Sequence, residues 1–210
     1  MIDFKEFPKI ARLSRQCTIT EKIDGTNASV FIRPAPPADP YAQFEFGVDI
    51  QVEVQGAPHY MRAGSRTQWL SIAEKNKDNY GFAAWVHAHA PELAALGPGH
   101  HFGEWWGQGI QRKYGLTEKR WSLFNTHRWG DPVVRPACCR VVPVLYQGVF
   151  SSEAVDEALL TLARDGSKAA PDFHGRAEGV VIWHEAARVL FKKTLDKDDE
   201  WKGKSADAQP

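Results

Sequence analysis

Short strand-like segments outnumber helical ones in this chain, and the two kinds do not alternate one for one. That ordering argues against a doubly wound parallel sheet and predicts an α+β protein with largely antiparallel sheets flanked by helices. Thr18 to Lys22 and Asn27 to Arg33 read as strands, separated by an Asp24-Gly25 turn signal. Gln51 to Val54 alternates polar and apolar residues, the period of a half-buried strand. Trp121 to Phe124 and Val141 to Tyr146 are also strand-like, and Gly179 to Trp183 with Arg188 to Lys192 suggest a strand pair. Phe82, Val86 and His89 follow a helical spacing behind the candidate caps Asp78 and Asn79, and that helix should stop near Pro91. A second helix is capped by Ser151 or Ser152, buries Val155, Leu159 and Leu162, and ends at Gly166.

Two stretches are irregular. Pro34 to Pro40 holds four prolines in seven residues and reads as a surface loop. The polar segment from Asp196 to Pro210 reads as a frayed tail, which leaves residues 1–195 as one folded domain. The 210 residues fit one domain or two small ones at roughly 100–200 residues each. With 43 % apolar and 25 % charged residues, the chain has the composition of a globular protein. No apolar run approaches the roughly 20 residues that span a bilayer, so no membrane helix is expected. The first residues carry Asp3, Lys5 and Glu6 and no apolar run, so no secretory signal is expected either. Three cysteines, two of them adjacent at Cys138 and Cys139, cannot form a disulfide framework and point to a reducing, cytoplasmic setting. The 26 basic and 26 acidic residues balance. There is thus no global pull on nucleic acid, and a local basic groove remains open.

The most informative segment is Glu21-Lys22-Ile23-Asp24-Gly25-Thr26-Asn27. A lysine at a strand end beside a tight turn presents one amine at a pocket rim. Such an amine becomes a nucleophile when burial or neighbouring cations deprotonate it. Taken alone, most lysines beside Asp-Gly turns are solvated surface residues.

Other segments give this one weight. Met61-Arg62-Ala63-Gly64-Ser65-Arg66-Thr67 places arginines after the second strand. Phe102-Gly103-Glu104 and Gly107-Gln108-Gly109-Ile110-Gln111 follow, then Trp121-Ser122-Leu123-Phe124, Ala177-Glu178-Gly179-Val180-Val181-Ile182 and Val189-Leu190-Phe191-Lys192-Lys193. In this order they resemble the motifs of the covalent nucleotidyltransferases, and specifically the RNA ligase 2-like family of ATP-dependent RNA ligases. The resemblance spans about Lys22 to Lys193. It implies an ATP-grasp-like nucleotidyltransferase domain that joins 3′-hydroxyl to 5′-phosphate ends, most simply of RNA, through a lysyl-AMP intermediate. Lys22 is then the nucleophile, Glu104 the ribose contact, Phe124 the ring that stacks on adenine, and Glu178 the carboxylate that helps hold Mg²⁺ or Mn²⁺. Arg66 is the arginine that positions phosphate, with Arg62 as the alternative. Glu21 helps read the base through its backbone or its carboxylate.

The last motif departs from the family. Its two lysines are adjacent rather than separated by one residue, so on a strand they point to opposite faces and only one can face the nucleotide. Lys192 shares a face with Leu190, and Lys193 with Phe191. The pattern does not choose between them. The resemblance also implies a nucleotidyltransferase domain standing alone, because the chain ends about seventeen residues past Lys193 where relatives carry a further domain. A partner protein could supply it. A capping-type guanylyltransferase or another nucleotidyltransferase that modifies something other than RNA, and a non-catalytic RNA-binding relative, are the alternatives. His87, His89, His100, His101, Cys138 and Cys139 lack metal-ligand spacing and read as structural.

Overall fold

In a computed structural model in which residues 4–36, 45–74 and 76–196 are described, the chain forms two compact units. One comprises the residues up to Lys22 and from Pro143 onward, and the other Ile23–Val142. The strands are β1 (Gln16–Lys22), β2 (Thr26–Pro34), β3 (Asp49–Val54), β4 (Ala57–Ser65), β5 (Gly99–Gly107), β6 (Lys119–Leu123), β7 (Cys139–Val141), β8 (Val144–Val149), β9 (Gly179–His184) and β10 (Val189–Thr194). The helices are α1 (Phe82–Ala88), α2 (Ala90–Leu93), α3 (Thr126–Trp129) and α4 (Ser152–Asp165). Every strand pairing is antiparallel except β6 with β7, so the predicted α+β class with largely antiparallel sheets is the one observed.

The first unit is a four-stranded sheet in the order β10-β9-β1-β8, with α4 against one face. Ser151 caps α4 by accepting the Ala154 N–H at 3.1 Å, and Gly166 ends it with a φ of 79°. Val155, Ala158, Leu159 and Leu162 recur at the helical period and pack on Cys17, Ile19, Val180 and Ile182. Burial of Val155, Leu159 and Leu162 is worth about 1.5–3 kcal/mol each.

The second unit is a six-stranded sheet in the order β3-β4-β2-β5-β6-β7. One face carries Ala28, Val30, Ile32, Met61, Ala63, Trp105, Trp121 and Leu123 into a core closed by α1 and α2. Phe82 of α1 sits 5.3 Å from Trp105 and 5.5 Å from Trp121, ring centre to ring centre.

Three local expectations change. The Asp24-Gly25 segment is not a hairpin turn: β1 and β2 belong to different sheets. Its backbone donors are taken by side chains, Asp24 N–H by Tyr114 Oη at 2.7 Å and Gly25 N–H by Glu104 Oε1 at 3.1 Å. The strand expected over Val141 to Tyr146 is split. Pro143 separates β7 from β8, and the two pair in different sheets. The helix from Phe82 ends before His89, and Pro91 opens α2, where a missing N–H costs nothing. Gly81 is its N-cap residue, although Asp78 Oδ1 still accepts the Ala84 N–H at 2.9 Å. Asn79 instead binds Thr26 Oγ1 and the Asn27 carbonyl. Among the described residues no helix is long and apolar enough to cross a membrane. The proline loop from residue 37 onward and the tail from residue 197 lie outside the described residues.

Candidate active site

Lys22 is the last residue of β1, in the first unit. Its Nζ lies 2.5 Å from Glu178 Oε1, immediately before β9, and both side chains are largely covered, at 24 % and 17 % exposure. The register explains the meeting: Lys22 pairs with Gly179, the neighbour of Glu178. The second carboxylate oxygen of Glu178 is buried and has no hydrogen-bond partner among the described residues. A buried, unpaired anionic oxygen is a poor arrangement by itself and a good one for a hard cation. Among the described residues no group of three or more His, Cys, Asp or Glu lies together, so a cation here would draw its remaining ligands from water or phosphate oxygens.

The same register separates the two adjacent lysines. On the α4 face of the sheet, Ile19 pairs with Ile182 and Glu21 with Val180, and Val180 in turn pairs with Lys193. Lys193 accordingly reaches α4, where its Nζ lies 2.9 Å from Asp156 Oδ1. Lys192 pairs with Val181, which pairs with Thr20, and Thr20 alternates with Lys22 on the opposite face. Lys192 is exposed there, and its side chain makes no hydrogen bond or ion pair among the described residues.

Glu21 faces the other way from Lys22. It is 1 % exposed, and its carboxylate accepts from Ser167 Oγ at 2.5 Å, Lys168 N–H at 2.8 Å and Ala169 N–H at 2.9 Å. Burial raises its pKa above the usual carboxylate value, and the three hydrogen bonds oppose that shift. The carboxylate is committed to the loop after α4, and the Glu21 N–H donates to the Pro143 carbonyl at 2.9 Å.

In the second unit, Glu104 lies on the face of β5 opposite the core. It pairs with Asn27 on one side and Ser122 on the other, and its Oε1 accepts the Gly25 N–H. Gly25 has no room for a side chain: a Cβ would stand 2.5 Å from the Trp105 carbonyl oxygen and 2.8 Å from Trp106 Cβ. Asp24 is held by Arg112 Nε at 2.9 Å. Phe124 follows β6 on the same face as Ser122, 39 % exposed, with its N–H on the Phe102 carbonyl at 3.0 Å. It is therefore not a core ring.

The two candidate arginines differ sharply. Arg62 binds both oxygens of Asp49 and lies 3.6 Å from Glu45, and Asp49 is 3 % exposed. Arg62 is thus a structural tie between β4 and β3. Arg66 is exposed just past β4 and makes no hydrogen bond or ion pair among the described residues.

The RNA ligase family model matches residues 15–195. The chain belongs to the RNA ligase family. A search of curated proteins finds no match. Among solved structures, this family member is similar to Naegleria gruberi RNA ligase. One variant with ATP and Mn is 17 % identical with a TM-score of 0.53, over 86 % of this chain and 50 % of that one. A variant with AMP and Mn is 18 % identical with a TM-score of 0.52, over 87 % and 50 %. At these identities the likeness is one of fold, and the chain spans about half the length of those ligases.

For this RNA ligase relative, sequence reasoning missed Arg112 and Tyr114 and read Asn79 only as a helix cap; all three fix the Asp24-Gly25-Thr26-Asn27 segment. Gln111, Lys113 and Tyr114 all have positive φ, a sign of a tightly specified loop that their residue types do not announce.

Proposed function

We propose that the chain is an ATP-dependent RNA ligase domain that carries AMP on Lys22, with residues 1–195 as the nucleotidyltransferase domain. The observation that carries this reading is the Lys22–Glu178 pair at 2.5 Å, with Lys192 on the same sheet face and an unpartnered oxygen on Glu178. In the proposed reaction the Lys22 amine, once deprotonated, attacks the α-phosphorus of ATP. A nitrogen–phosphorus bond forms, the bond from the α-phosphorus to the bridging oxygen breaks, and pyrophosphate leaves.

Lys192 is the better candidate of the lysine pair to meet phosphate, because Lys193 is turned to Asp156. Glu104 accepts from the ribose hydroxyls and Phe124 stacks on adenine. Arg66, unspent in the fold, binds the 5′-phosphate of the acceptor strand, for which a planar guanidinium is suited. Glu178 Oε2 fits Mg²⁺ or Mn²⁺, which when bound neutralises triphosphate charge. The Naegleria gruberi ligase, seen with ATP and Mn, supports that cofactor pair. AMP would then pass from Lys22 to a 5′-phosphate, and a 3′-hydroxyl would displace it to seal the strand. A second domain or partner protein would assist those later steps, and the setting would be cytoplasmic.

The test is label transfer from α-labelled ATP. Lys22→Ala should abolish it, and a fully active Lys22→Ala protein would overturn the proposal. Supplying GTP in place of ATP should give no label if the donor is adenylate.

A further inference from the structure

The face of the six-stranded sheet opposite the core carries a row of rings beyond Phe124. Phe31 of β2 pairs with His100 of β5 and with Arg62 of β4, and Phe102 pairs with Ser29, so all of these project from the face opposite the core. Trp69 joins them from the loop after β4. Ring centres are 5.8 Å apart for Phe31–Trp69, 5.4 Å for Phe31–His100, 5.7 Å for Trp69–His100 and 4.1 Å for His100–Phe102. Trp69 and Phe102 remain 40 % and 47 % exposed.

The row is held in place. Trp69 rests over Gly64, where a Cβ would be 3.3 Å from its ring and 2.6 Å from Ser29 Oγ. His100 Nε2 is 3.0 Å from that same Ser29 Oγ. Desolvation lowers the His100 pKa, so near neutral pH it presents an uncharged ring. The Arg62 guanidinium lies 5.9 Å from the Trp69 ring centre, and its charge is met by Asp49 and Glu45. Arg66, exposed and without an ion pair among the described residues, stands three residues before Trp69 in a loop closed by the Ser65 N–H on the Gln68 carbonyl at 2.9 Å.

We infer that Trp69, His100, Phe31 and Phe102, with Arg66 in the same loop as Trp69, form a stacking platform for unpaired bases of the RNA strand. The rings are tilted 30–33° to their neighbours, with Phe31 edge-on to His100. The surface left exposed at Trp69 and Phe102, with a guanidinium in the same loop as Trp69, matches the sequence-indifferent stacking of single-stranded nucleic acid. A duplex keeps its base faces inside, and an apolar peptide has no use for Arg66. The inference rests on the reading of the chain as an enzyme acting on RNA, and it adds where an unpaired strand is held apart from the adenosine contacts Phe124 and Glu104.

The experiment is fluorescence anisotropy with a short, 3′-labelled, 5′-phosphorylated single-stranded RNA. Trp69→Ala and His100→Ala should each raise Kd by at least about fivefold, the loss expected for one stacked base. Trp69→Phe should restore most of the affinity. Thermal melting checks each variant, and if Trp69→Ala fails to fold, His100→Ala and Phe102→Ala decide. Wild-type affinity in the folded alanine variants, or no RNA binding by the wild-type protein, would overturn the platform. The binding assay needs no covalent step. Affinity lost in Trp69→Ala and His100→Ala without any AMP on Lys22 would therefore support the platform and remove the ligase reading. AMP on Lys22 with affinity untouched by the variants would remove the platform alone.

Discussion

Glu21 offers a sharp test, because its place beside Lys22 suggests nucleotide binding while its surroundings suggest structure. The carboxylate is the acceptor for Ser167 Oγ, Lys168 N–H and Ala169 N–H, at 2.5, 2.8 and 2.9 Å. Glu21→Ala would leave two backbone donors unmet. The cost is about 1–3 kcal/mol for each donor that stays dry. Lys168 is exposed, so water can reach part of the gap, and the expected total is about 2–4 kcal/mol. For a chain of this size that corresponds to a fall in Tm of roughly 5–15 °C.

Glu21→Gln keeps an oxygen for the two N–H groups and can donate to Ser167, so it should cost only about 1 kcal/mol. The pH dependence has a definite sign. Burial raises the folded pKa of Glu21 above its ordinary 4.5, so between 4.5 and that higher value the folded chain binds more protons than the unfolded one. This contribution to stability is fully present below 4.5 and is lost as pH rises through the folded pKa. The advantage of wild type over Glu21→Gln should therefore shrink as pH rises across that window. Melting curves across pH measure both effects. A Glu21→Ala variant that melts within about 1 °C of wild type, while its KM for ATP rises, would refute the structural assignment.

Further outcomes follow from the same geometry. Arg62→Ala should destabilise the protein by about 3–5 kcal/mol, because it strands a buried Asp49, whereas Arg66→Ala should leave the melting curve in place and slow transfer of AMP to a 5′-phosphorylated strand. Gly25→Ala should lower the melting temperature, since its Cβ would meet the Trp105 carbonyl, a backbone atom that cannot rotate away. Phe124→Ala should raise KM for ATP by about 5- to 150-fold, the worth of one base stack, with little change in Tm because the ring is half exposed.

What was legible in the sequence was local. Alternation and turn residues marked β2, β3 and the β9–β10 pair, and Ser151 and Gly166 bracketed α4 because caps act within one helical turn. What was hidden depended on partners far along the chain. Asp24-Gly25 has the composition of a hairpin turn, yet its N–H groups find Tyr114 and Glu104, 90 and 79 residues away. Lys192 and Lys193 are indistinguishable until the register of β10 on β9 assigns them to opposite faces. Arg62 and Arg66 look alike until Asp49 claims the first. For Glu21 the sequence leaves backbone and carboxylate equally open to a base, because the partners that claim the carboxylate lie 146–148 residues on. His100 and Trp69 carried no motif, and only the pairing of β2 with β4 and β5 gathers their rings on one face.

The most direct measurement is incubation of the folded protein, freed of any bound AMP, with α-labelled ATP and either Mg²⁺ or Mn²⁺, followed by denaturing electrophoresis and peptide mapping. The account predicts covalent AMP on Lys22, absent from Lys22→Ala. No label with either metal, or label on another residue, would contradict it.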